Sequence, residues 1–258
     1  MYWLLWRVAG EMKVLLEALS ILGIHELGHF AAARWRRIAA GLPIFIPFPM
    51  GLGTFGAFVR LKAPVWDRND SFDIGAAGPV AGLLVAIPLM LYSLQASIPT
   101  FSPAYPHAMT IRSSLLLSLL YKLVKGGSIP AGMVGISDLG FASWIGIYVS
   151  ALNLLPVGPL DGGRIAAALF GAKKTAPIEF LTVGLGVLLA VFVWSGLFLW
   201  AGLLLVFALL RSPETLDEFT APGAGRYLLG TLLFIFALLA LLPMPGGIRL
   251  ATISCPYM

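Results

Sequence analysis

The chain has 258 residues, of which 59% are hydrophobic and only 11% charged, against about 25% charged in an ordinary globular domain. That imbalance, with a mean hydropathy of +0.92, excludes a soluble single-core enzyme, because the apolar residues far exceed what such a core would bury. The net charge of +5 is no nucleic-acid signal: the basic residues sit singly or in pairs at the ends of apolar runs, as anchors on a membrane surface do.

A membrane-spanning helix needs about 20 apolar residues, and the expected architecture is an all-α, polytopic bundle of about six spans in a lipid bilayer. No removable signal peptide is expected, since a basic lead with a small-residue cleavage site is missing, and the lone Cys255 forms no internal disulfide. The first span is residues 14–33, ending at Arg34, Arg36 and Arg37. After it, residues 54–61 alternate Phe55, Ala57, Val59 and Leu61 with Gly56, Phe58 and Arg60. That period of two predicts a small membrane-associated strand between the first two spans. The second span is residues 74–95, opening on a Gly-Ala-Ala-Gly-Pro run. Residues 113–124 are apolar but short, and read as an interfacial or partly inserted helix. The third span, 139–156, runs into a Pro/Gly-rich loop. Residues 178–210 are too long for one span, so Trp194, Ser195 and Gly196 mark a turn between two. The last span is 227–242.

Alternating these spans places 11 of the 17 Lys and Arg residues on the side of Arg34 to Arg37. By the positive-inside rule that side is cytoplasmic. Both termini are then outside, and the expected location is a prokaryotic cell membrane.

Chemistry concentrates in His25-Glu26-Leu27-Gly28-His29. Histidines at i and i+4 lie on one helical face and can hold one metal ion together. Glu26 is turned about 100° from His25, near enough to reach water on that metal without ligating it. Two His and a Glu inside a lipid-embedded helix cost several kcal/mol unless paired or bound to something. Nine residues separate His25 from Arg34, which puts the site about 13 Å below the cytoplasmic interface. A third protein ligand is then wanted. Asp161, in the Pro- and Gly-broken segment from Asn153 to Arg164, is the outstanding carboxylate, although an Asp there also suits a helix cap. Gly78 and Gly82 form a small-x-x-x-small face, with Gly23 or Gly28 of the His-bearing span as possible packing partners.

His-Glu-Leu-Gly-His in one span and Asn…Pro…Leu-Asp-Gly in a later one resemble the two signature motifs of the site-2 proteases, zinc metalloproteases that cut within the membrane. Gly53-Thr54-Phe55-Gly56-Ala57 and Gly75-Ala76-Ala77-Gly78-Pro79-Val80-Ala81-Gly82 are similar to the branch with chloroplast and prokaryotic members. The resemblance implies that His25, His29 and Asp161 ligate one zinc ion per chain. It makes Glu26 the catalytic base and Asn153 a substrate-positioning residue. It also implies transmembrane protein substrates. Pro159 and Arg164 depart from the Gln and His common in that branch, at positions that are not ligands.

Main-chain pairing offers a further expectation. A substrate helix must be held extended to expose its scissile bond, so residues 54–61, with Phe55, Gly56 and Phe58, are expected to act as an edge strand for it. The chain is expected to divide at 171, into a protease core (1–171) and C-terminal spans (172–258). Two other readings remain. A prenyl-processing type of membrane zinc protease would take its third ligand from Glu179, Glu214 or Glu218, and a metal transporter or inactive binding module would lack catalysis.

Overall fold

The computed structural model describes residues 2–47, 54–59, 61–100, 110–127, 133–192, 198–210, 215–243 and 249–252. The expected turn at Trp194 to Gly196 lies outside them. In chain order the elements are α1 (Tyr2–Trp35), β1 (Ile44–Pro47), β2 (Thr54–Phe58), α2 (Arg68–Ala96), β3 (Ile98–Thr100), β4 (Thr110–Arg112), α3 (Leu115–Lys125), β5 (Met133–Ile136), α4 (Asp138–Asn153), α5 (Asp161–Phe170), α6 (Ala172–Phe192), α7 (Phe198–Leu209), α8 (Ala224–Leu241) and β6 (Arg249–Thr252).

Helices dominate, and among the described residues four are long and apolar enough to cross a membrane: Met12–Trp35 within α1, then α2, α6 and α8. About six were expected. Among the described residues the other two candidates, α4 with 16 residues and α7 with 12, fall short of a full span. For α4 the reason is visible. Its N-terminal end is tied to the C-terminal end of α2 by Ser93 and Ser137, whose hydroxyls are 3.0 Å apart. The chain breaks after Asn153 and resumes as α5, whose last carbonyls, on Ala168 and Leu169, accept 2.6 Å hydrogen bonds from Arg68 at the opposite end of α2. Two half-helices thus travel the length of one long helix, and the break falls inside the bundle.

Local chemistry sets these boundaries. α2 begins six residues earlier than the apolar run, because Asp67 accepts a 2.8 Å hydrogen bond from the Asp70 amide and caps it. Ser137 caps α4 through the Gly140 amide at 3.2 Å. Ser114 caps α3, whose 11 residues are too few to span. The core lies between α2, α4, α5 and α8, where Phe72, Met90, Leu94, Leu154 and Ile165 are buried. Outward faces remain apolar: Phe180, Phe192 and Leu199 are each at least 80% exposed. Such a surface belongs in lipid rather than water.

The expected strand is present but shorter. β2 stops at Phe58 and pairs antiparallel with β1, Ile44 opposite Phe58 and Phe45 opposite Ala57. Leu61 makes only an isolated bridge to Ala40. A second sheet, in the order β3-β5-β6-β4, was not expected.

Charged groups gather at one end. Arg36, just past α1, pairs with Asp73 and, at 3.3 Å, with Asp70. Arg226 of α8 grips the same Asp73 at 2.8 and 2.9 Å. These pairs join the starts of α2 and α8 to the end of α1.

Candidate metal centre

α1 carries His25, Glu26 and His29, which are 1%, 8% and 8% exposed. The two imidazoles can be deeply set because α2 presents glycines to them. A side chain at Gly78 would collide with His29, and one at Gly82 would begin 3.2 Å from the His25 ring. Gly28 in turn lets α1 approach α2, its missing side chain facing Ala81. Gly28 is thus one of the expected partners in contact, and the small-residue face also makes room for the histidines.

The third group arrives from the helix break. Gly158 adopts a φ of +48°, a left-handed value that favours glycine. Gly162 and Gly163 lie where any side chain would strike the carbonyls of Leu154 and Gly158. The segment therefore folds tightly back and starts α5 at Asp161, with no side-chain cap on that helix. The carboxylate faces α1 instead. Its Oδ2 lies 3.2 Å from His25 Nε2 and its Oδ1 3.3 Å from His29 Nε2. Asp161 is thus not the cap that a carboxylate in such a segment often supplies.

Both rings are held from behind. His29 Nδ1–H donates to the Ile74 carbonyl at 2.7 Å, which leaves its Nε2 lone pair facing Asp161. His25 Nδ1 lies 3.3 Å from the Ser150 hydroxyl. One ligand atom from each of His25, His29 and Asp161 lies within 4.8 Å of the others. Two neutral imidazole nitrogens and a carboxylate oxygen, oriented by outer partners, fit a divalent metal of the zinc type.

Glu26 lies beside this cluster, close enough to feel the charges of His29 and Asp161. Asn153 ends α4 one turn after Ser150, on the same helical face. Phe55, Gly56 and Phe58 are in β2, which runs beside α1. Ser150 and the Ile74 carbonyl had not been anticipated as site groups. A serine buried in an apolar helix one turn from Asn153 was the available signal for the first. A backbone carbonyl gives no sequence signal. Glu179, an alternative ligand, instead accepts a 3.1 Å hydrogen bond from the Gly158 amide, and Glu214 lies outside the described residues.

A His-Glu-x-x-His helix met by a carboxylate from a broken helix, inside a bundle of apolar helices, defines a membrane-embedded protein with a hydrolase-type metal centre. Comparison with known proteins takes this further: residues 14–195 match the model of peptidase family M50, and the chain belongs to that family. It is 34% identical over 236 residues to a protein of Oryza sativa subsp. indica called "Probable zinc metalloprotease EGY2, chloroplastic", covering 88% of this chain and 41% of that protein. It is 36% identical over 243 residues to "Probable zinc metalloprotease EGY1, chloroplastic" of Arabidopsis thaliana, covering 92% and 44%. The chain therefore spans less than half the length of these relatives. Both are named as chloroplastic plant proteins, so the expectation of a prokaryotic membrane finds no support in them.

Proposed function

We propose that this chain is an intramembrane zinc endopeptidase that cleaves peptide bonds within or near transmembrane segments of membrane proteins. The observation that carries the reading is the convergence of His25, His29 and Asp161 beside Glu26. It lies against Gly82, the middle residue of α2, about 20 Å from either end of that helix. His25 and His29, each through Nε2, and Asp161, through its carboxylate, hold one zinc ion, the three protein ligands of a catalytic site. Bound there, zinc supplies Lewis-acid chemistry, acidifying water and polarising a peptide carbonyl. Glu26 takes a proton from the attacking water and passes it to the leaving amine nitrogen as the C–N bond breaks. Asn153 holds a substrate carbonyl or amide near the break.

Residues 1–171 form the protease core in this reading, since α1, α2, α4 and α5 supply every group of the site, and residues 172–258 add further spans. In the purified chain with a single-span reporter, chelation by 1,10-phenanthroline is expected to stop cleavage and added zinc to restore it. Cleavage that persists in metal-stripped protein contradicts the reading.

Among the described residues β2 pairs only with β1, so its second edge offers free backbone groups to an unwound substrate. Phe58→Pro deletes one donor from that strand. It is expected to slow cleavage of the helical reporter while zinc content is unchanged, and full activity with full zinc removes β2 as the substrate's partner.

The Arg36, Asp73 and Arg226 end is proposed to be the cytoplasmic one, where the site opens to water. Single cysteines replacing the exposed Lys173 and Lys125, in a Cys255→Ser background, test this with an impermeant thiol reagent on intact cells. Labelling at 125 and protection at 173 are expected, and the reverse pattern inverts the topology.

A further inference from the structure

The geometry points to Arg164 as a substrate-binding residue of this centre, whose guanidinium donates a hydrogen bond to the carbonyl oxygen of the scissile peptide bond. The inference rests on the protease reading above and adds a residue to it.

Four buried side-chain atoms have no hydrogen-bond partner among the described residues: Glu17 Oε2, Arg36 Nε, Asp138 Oδ1 and Arg164 Nη1. Three of these side chains are ion-paired through their other atoms, Glu17 and Asp138 with Lys13 and Arg36 with Asp70 and Asp73. Arg164 is not. An arginine offers donors only and keeps its charge, so a buried N–H without an acceptor is costly to maintain.

Its position relates it to the metal centre. Asp161 opens α5, and Arg164 follows one turn later on the same face. Helical side chains lean toward the N-terminus of their helix, here toward Asp161. The Arg164 stem crosses α2 at Gly75, where an added side chain would start 3.1 Å from its Cδ and 3.3 Å from its Cγ. The next residue back, Ile74, is the one whose carbonyl fixes His29. The charge of Asp161 acts on Arg164, yet the Asp161 oxygens are already directed at the two imidazoles. The guanidinium is therefore held beside the centre with a donor to spare.

Its acceptor then comes from outside the chain. In peptide hydrolysis the group that meets a donor there is the scissile carbonyl oxygen, which gains negative charge as water adds. A charged donor fixed in advance binds that oxygen more strongly in the transition state than in the substrate. After the C–N bond breaks, the same oxygen belongs to the new carboxylate of the N-terminal product, so Arg164 also grips that product.

Two readouts test this: reporter kinetics with zinc content, and binding of a labelled peptide that ends at the cleavage site. Arg164→Met is expected to lower kcat about a hundred- to a thousandfold, the cost of losing one such donor, with KM little changed and one zinc per chain retained. Arg164→Gln keeps a polar head and covers a Met variant that does not fold, and the same losses are expected of it. By fluorescence anisotropy the wild-type chain is expected to bind the product peptide more tightly as the free acid than as the amide. In either variant, where the retained zinc alone still favours the acid, that preference should be clearly smaller, and an undiminished preference counts against the inference. Zinc lost in step with activity would make Arg164 a support for Asp161, and an unchanged kcat would remove it from the reaction; either overturns the inference. A wild-type chain that holds zinc and cleaves nothing sinks the protease reading itself, whereas a cleaving wild type matched by Arg164→Met sinks only this inference.

Discussion

Glu26→Ala is expected to lower reporter turnover by about 10²–10⁴-fold or more, the range for loss of a general base, while the chain keeps its zinc. The two effects separate because Glu26 is one residue from His25 and so lies off the face that carries both imidazoles. Its carboxylate is buried beside His29 and Asp161, where it can exchange a proton with water without holding metal. The substitution removes volume at one buried position and leaves the hydrogen bonds of His25 to Ser150 and of His29 to Ile74 intact. Turnover and zinc per chain are measured on the same preparation. Wild-type turnover in this variant would refute the assignment of the base, and lost zinc would make Glu26 a ligand.

Asp161→Ala is expected to act on both quantities together. The carboxylate is the only acidic group within reach of both Nε2 atoms among the described residues, so its removal leaves two imidazoles where a catalytic site holds three protein ligands. Loss of an outer hydrogen-bonding partner weakens metal binding by about 10–100-fold, and loss of a ligand is expected to exceed that. Zinc should leave Asp161→Ala at chelator concentrations that leave the wild type loaded, and turnover should fall with it. Undiminished zinc retention would place the third ligand elsewhere.

How much of this was legible in the sequence depends on the range of the interactions involved. α1 and α8 appear as apolar runs and fold as helices; α8 keeps close to the expected limits, whereas α1 ends near them but begins at Tyr2, twelve residues before the expected start. The start of α2 was hidden because its first turns, from Arg68 to Asp73, are polar apart from the core residue Phe72 and take part in capping and ion pairs. The Pro and Gly residues after Asn153 signalled a break, but not that α5 would continue the crossing. That continuation depends on Arg68 and on Tyr227, whose hydroxyl also donates to the Leu169 carbonyl at 2.8 Å. The sheet β3-β5-β6-β4 is built from strands of three or four residues, too short for a period of two to register.

In the site, local spacing was enough to nominate His25, Glu26 and His29, since a single helical turn relates them. Asp161 stood out only as a carboxylate near a helix break, and its role as ligand came from resemblance. Its approach to the histidines depends on three glycines of the break and on the room that α2 leaves at Gly78 and Gly82. The Ile74 carbonyl is a packing outcome that no spacing rule announces, whereas Ser150 left a signal one turn before Asn153.

The central claim is that His25, His29 and Asp161 share one zinc ion, and X-ray absorption at the zinc edge of the purified wild-type chain tests it most directly. The account predicts one zinc per chain, with two imidazole nitrogens at about 2.0–2.1 Å and the remaining ligands oxygen at about 2.0–2.2 Å. In Asp161→Ala that signal should be reduced or lost. Stoichiometric zinc with a sulfur ligand, or the same imidazole spectrum and occupancy after Asp161→Ala, would contradict it.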